Sequence, residues 1–96
     1  LKDQIDRRLA ALGAAREAMR QAIKDLTEAA SVSHLEIEEV ILINRELLHN
    51  ILDLFELLED DPDDERFKIL QPLEIYFLAA DRLLITMLDT AEPAVA

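Results

Sequence analysis

Glu46 and His49 stand three residues apart in the stretch Asn44–Asn50, and that spacing puts two side chains on one face of a helix. Glu-x-x-His pairs of this kind supply ligands to iron or manganese in helical bundles that hold two metal ions. Such a centre also needs carboxylates converging from other helices. Here they do not converge. Glu17 falls on the far side of the first helix from its apolar seam, and Glu74 and Asp81 fall on the polar edge of the third. On a wheel at about 100° per residue, Glu46 and His49 join the polar half of the second helix, with Arg45, Asp53 and Glu56. The expectation is a solvated face and no cofactor, with Glu46 and His49 the candidates for an incidental metal site.

Other chemistry finds fewer residues still. Cysteine is absent, which excludes thiolate catalysis and a disulfide framework. His34 opens the second helix, where the positive end of the helix dipole disfavours an imidazolium. Ser31 and Ser33 are the only serines, and both belong to a turn. No G-x-S-x-G, phosphate-binding glycine loop or H-E-x-x-H is present. The aromatic residues Phe55, Phe67, Tyr76 and Phe77 lack the basic surround of a nucleic-acid platform. No catalytic activity is expected.

The elements that carry these residues are helices. One glycine and three prolines in 96 residues leave little punctuation, so a few long elements are predicted rather than many strands. The first helix is predicted over residues 1–30. Its seam of Ile5, Leu9, Leu12, Met19, Ile23, Leu26 and Ala30 alternates four- and three-residue steps once Arg16 is included. A second series of Ala11, Ala15, Ala18, Ala22 and Ala29 lies beside it, as a close-approach strip or as simple helix propensity. In Ser33–Glu36 a capping box is predicted, with Val32 and Ile37 as its hydrophobic staple. So short a link favours an antiparallel hairpin with a second helix over 34–59.

The acidic run Glu59–Glu65 lacks the glycine and the register of a calcium loop. It reads instead as a helix start, with Asp61 as cap and Pro62 at the first position. The third helix is then predicted over 62–90, bent at Pro72, which has no amide for the Lys68 carbonyl. The apolar pattern continues through Pro72, which favours one bent helix over two short ones. Residues 91–96, with Pro93, are predicted to fray. The fold expected is all-α: one domain of three long helices, up-down-up, kinked in the third and dimerising into a larger bundle.

Three polar residues interrupt the apolar seams: Arg16, Asn44 and Tyr76. In an up-down-up arrangement they fall near one level. A polar layer is predicted, its members bonded to one another or to water. Apolar residues also interrupt the polar faces. Leu35, Leu42 and Leu57 do so in the second helix, and Phe67, Leu78 and Ile85 in the third. A three-helix monomer would leave part of this surface wet, and contiguous exposed apolar area marks interfaces. A homodimer through the second and third helices is the expectation.

The net charge is −11, carried almost wholly beyond residue 30: residues 31–96 hold four Lys/Arg against sixteen Asp/Glu. Such a surface repels phosphates and anionic lipid, so neither direct nucleic-acid nor membrane binding is expected. A basic protein partner would be attracted. The longest apolar runs, such as Val40–Ile43, fall far short of the roughly 20 residues that cross a bilayer. With no visible signal peptide, a soluble, cytoplasmic rather than secreted chain is expected. Long helices without cysteine or tryptophan suit a designed sequence, whereas Pro72, Gly13 and the seam polar groups do not. Taken together, these features predict a non-catalytic association module, for oligomerisation or as a scaffold. The rival readings are an acidic regulator (a small chaperone, an inhibitor or a nucleic-acid mimic) and a di-metal bundle.

Overall fold

Three helices follow one another in the computed structural model, which describes residues 2–91. They are α1 (Lys2–Glu28), α2 (His34–Leu58) and α3 (Arg66–Thr90). Of the predicted tail, residues 91–96, all but Ala91 lie outside the described residues, as does Leu1. The all-α, three-helix expectation holds, and among the described residues there is no strand element.

The start of α2 forms as its sequence dictates. The Ser33 hydroxyl accepts from the Glu36 amide at 3.3 Å, and the Ser33 amide donates to the Glu36 carboxylate at 3.0 Å. Two amides that the first turn would leave unpaired are thus satisfied. Val32 and Ile37 line one groove at this end of the bundle.

The start of α3 differs from expectation. The helix begins at Arg66, four residues after Pro62, and Asp61 makes no side-chain cap. Asp61–Asp64 instead form a tight turn, closed by the Asp64 amide donating to the Asp61 carbonyl at 3.1 Å. Pro62 sits second in that turn, where its fixed φ is equally well used. The Asp64 carboxylate then accepts from the Arg66 amide at 2.9 Å, while Glu65, the cap residue, makes no side-chain cap. Beyond it, α3 continues through Pro72 as one helix. Leu70 and Leu73 are buried on either side of Pro72, which is itself exposed. Packing on both sides of the proline outweighs the lost backbone hydrogen bond.

The core is a column of aliphatic side chains between α2 and α3, with α1 laid along it. Ile51 and Leu54 of α2, and Leu70, Phe77 and Leu84 of α3, are fully enclosed. Ile5, Leu9, Leu12 and Met19 bring the predicted seam of α1 onto the column. Farther along, Ile23 and Leu26 are only half-buried. Ala11, Ala18 and Ala29 are exposed, whereas Ala15 and Ala22 are half-buried and Ala15 packs against the core, so the alanine series divides between helix propensity and close packing. Open space surrounds Gly13, and nothing in the structure explains a glycine there.

The bundle measures 50 × 18 × 17 Å, with a radius of gyration of 15.5 Å. A compact chain of this length would have about 12.5 Å. The protein is therefore a thin rod. Each helix meets the core along one narrow stripe, and much of its circumference stays wet.

Arg66 clamps one end of the rod. Its Nε donates to Asp6 of α1 at 2.7 Å, and its Nη1 to Asp64 at 2.9 Å. Hydrogen bonding to Arg66 holds both carboxyls below their ordinary value of 3.8. A carboxyl with a depressed folded pKa stabilises the fold above its ordinary value, and loses that effect as pH falls through the folded one. Arg66→Ala is accordingly expected to be less stable than the native chain at neutral pH, with the deficit shrinking in acid as pH falls through the lowered pKa of Asp6. Urea unfolding at neutral and at acid pH measures it.

Candidate interaction surface

Each residue that could do chemistry or recognition is placed by the three helices. Glu46 and His49 are exposed on the outer face of α2, away from α1 and α3. Among the described residues no group of three His, Cys, Asp or Glu side chains is placed to hold a metal ion.

The three seam polar residues take different roles. Asn44 is fully enclosed, at 0% exposure, while Arg16 and Tyr76 are half-buried. Asn44 Nδ2 donates to the Phe77 carbonyl at 2.9 Å, a bond from α2 to the backbone of α3. Its Oδ1 is buried with no protein partner. Of the two forms expected for the layer, bonds among its members or bonds to water, the direct one does not occur: among the described residues no side-chain hydrogen bond joins Arg16, Asn44 and Tyr76. The physical reason lies in reach. A short amide in the α2–α3 seam meets the carbonyl facing it, whereas Arg16 and Tyr76 lie toward the surface. Burial pushes the Tyr76 phenol above its ordinary value, and Arg20 and Arg16 of α1, close beside it, act in the opposite sense. The ring of Tyr76 meets that of Phe77 edge-on, with centroids 5.4 Å apart.

Of the six residues expected at an interface, Leu35, Leu42, Leu57 and Leu78 are exposed, Leu42 by 67%. Phe67 and Ile85 are half-buried and pack against the core. Phe67 leans on Phe55 across the α2–α3 turn, with ring centroids 5.9 Å apart. Five further large apolar side chains are exposed that the sequence did not single out: Ile43, Leu52, Ile69, Ile75 and Leu83. On a helical wheel Ile43 and Leu52 fall at the flanks of the apolar half of α2. That half is wider than the stripe two neighbouring helices cover, so residues about 90° from the core direction stay wet. A narrower wheel, matched to a three-helix rod, would have found them.

Charge divides the surface as sharply as apolarity does. All six carboxylates of α2 are exposed: Glu36, Glu38, Glu39, Glu46, Asp53 and Glu56. Its one arginine, Arg45, is tied to Asp81 of α3 at 2.9 Å. By contrast, every exposed residue of α3 from Lys68 to Thr86 is apolar, uncharged or basic.

The grooves between helices are shallow. One of about 160 Å³ lies between Arg8, Ala11, Leu12, Leu47 and Asn50. Another of about 180 Å³ lies between Arg20, Ile23, Tyr76, Ala79, Ala80 and Leu83. Three wider hollows, of about 450, 590 and 530 Å³, are more open still to solvent. No described helix is long and apolar enough to cross a membrane. No protein family, no curated protein and no solved structure matches the chain.

Proposed function

We propose that this chain is a non-catalytic association module that works by pairing with a second copy of itself. The observation that carries the reading is the set of nine large apolar side chains left exposed on α2 and α3. Single exposed leucines are ordinary on protein surfaces. Nine on two adjacent helices of a small chain are more than scattered singles, and the four on α3, where no exposed residue from Lys68 to Thr86 is acidic, offer the surface that a second copy would cover. A thin rod also has little core for its surface, and docking against another chain remedies that shortage.

Light scattering after size exclusion, over a dilution series and at two salt concentrations, tests this. A dimer that persists at high salt is the expected result. A monomer at every concentration would overturn the reading.

The outer face of α2 favours a second role. Six exposed carboxylates surround Leu35, Leu42 and Leu57 there, a surface suited to a basic, amphipathic segment of another protein. In that role the chain is an acidic regulator, and its complex weakens steeply with salt. The two roles use different helices and are compatible in one molecule.

A further inference from the structure

The exposed face of α3 is ordered in a way that identifies how a second copy would sit on it. From Lys68 through Gln71, Ile75, Leu78, Arg82 and Ile85 to Asp89, residues recur in strictly alternating three- and four-residue steps. That is a heptad seam, separate from the one that α3 turns to its own core. All its members are exposed except Ile85, which is half-buried. The seam spans about 32 Å of helix.

It is also self-complementary when reversed. Leu78 lies at its middle. Turned end over end about Leu78, the seam sets Lys68 against Asp89, Gln71 against Ile85, Ile75 against Arg82, and Leu78 against itself. Opposite charges meet at both ends. At Ile75 the aliphatic stem of the facing arginine covers the side chain. Its guanidinium arrives beside Glu74, which is half-buried at the edge of the seam. Asp81, on the same edge, is occupied by Arg45 of its own chain. Ala79, exposed on the other flank, leaves room for close approach. A parallel pairing would instead place Lys68 on Lys68 and Asp89 on Asp89. The outer face of α2 cannot serve a second copy in the same manner, because its six carboxylates would face one another.

We propose that two copies pair through α3, antiparallel about a two-fold axis at Leu78, with Lys68 bonded to Asp89 of the partner subunit. This rests on the self-association reading above and specifies its surface. The rod then becomes a six-helix assembly, with the two acidic α2 faces turned outward and free.

Light scattering and sedimentation of single variants over a dilution series provide the test. Leu78→Asp places two carboxylates at the axis and should raise the dimer dissociation constant at least about a hundredfold. Leu42→Asp, on α2, should change it less than about threefold. Lys68→Glu should weaken the dimer about tenfold, since two attractions become two repulsions. Adding Asp89→Lys to Lys68→Glu should restore it, whereas adding Asp53→Lys on α2, which restores the same net charge, should not. Far-ultraviolet circular dichroism checks that every variant keeps its helices. A native chain that is monomeric throughout overturns both this proposal and the reading it rests on. A dimer sensitive to Leu42→Asp and indifferent to Leu78→Asp overturns the α3 surface alone. A dimer indifferent to Lys68→Glu overturns the antiparallel register.

Discussion

Replacing Asn44 by aspartate is expected to cost about 3–5 kcal/mol, the penalty for a buried charge left without a partner. The two side chains have nearly the same shape, so packing is preserved and only the chemistry changes. Asn44 Nδ2 donates to the Phe77 carbonyl at 2.9 Å from a position with no exposure. In the variant, a carboxylate oxygen would face that carbonyl, and the buried Oδ1 already lacks a partner. Total stabilities of small domains run to about 5–15 kcal/mol, so the loss would remove a large share. Its pH dependence carries a definite sign. Burial raises the folded pKa of the new carboxyl above its unfolded value, so the folded state binds the extra proton. Stability therefore recovers as pH falls through the folded pKa, and the protonated acid regains a donor for Phe77. Urea unfolding of the native chain and the variant from pH 7 down to about 5 reads this directly. A variant as stable as the native chain would mean that solvent reaches this seam.

Replacing Pro72 by alanine is expected to stabilise the fold by about 1–3 kcal/mol. An interior proline costs a helix about 3 kcal/mol relative to alanine, through the missing amide and the clash with the carbonyl four residues before it. Pro72 is exposed, so its removal opens no cavity, and an alanine amide is free to bond to Lys68. The conformational freedom that alanine adds to the unfolded chain is already part of that difference. Thermal and urea unfolding measure the gain. A loss of stability would show that the backbone shape at Pro72 is needed to seat Leu70 and Leu73 against α2.

These residues also show what the sequence could and could not reveal. The helices and the Ser33–Glu36 cap were legible, because local spacing and local hydrogen bonds determine them. Asn44 was recognisable as a polar residue inside a seam, but its partner was not. The Phe77 carbonyl is a backbone group, and every helix carries one at every position, so only the register of α2 on α3 selects it. The start of α3 was misplaced because Pro62 suits two structures equally: the first turn of a helix and the second position of a tight turn. Asp64, bound to both the amide and the side chain of Arg66, decided between them, and Arg66 is in turn held from 60 residues away by Asp6. Among the apolar surface residues, Leu35 and Leu42 stood out on a polar face. Ile75 and Leu83 did not, since a seam turned outward has the same spacing as one turned inward.

The loose seating of α1 bears on how the chain assembles. α2 and α3 are packed most densely against each other, and α1 meets both of them more sparingly. Contacts within the α2–α3 hairpin join neighbouring elements, so their loop closure is short and they form early. α1 is made first by the ribosome, yet the parallel groove it fills does not exist until α3 has emerged. Its clamp, Arg66, belongs to that last helix. During synthesis the first helix therefore has only α2 to cover its apolar seam until α3 has emerged. The cations of that segment — six Lys/Arg against five Asp/Glu over residues 1–30 — keep a solvated charged surface around the seam in the interval.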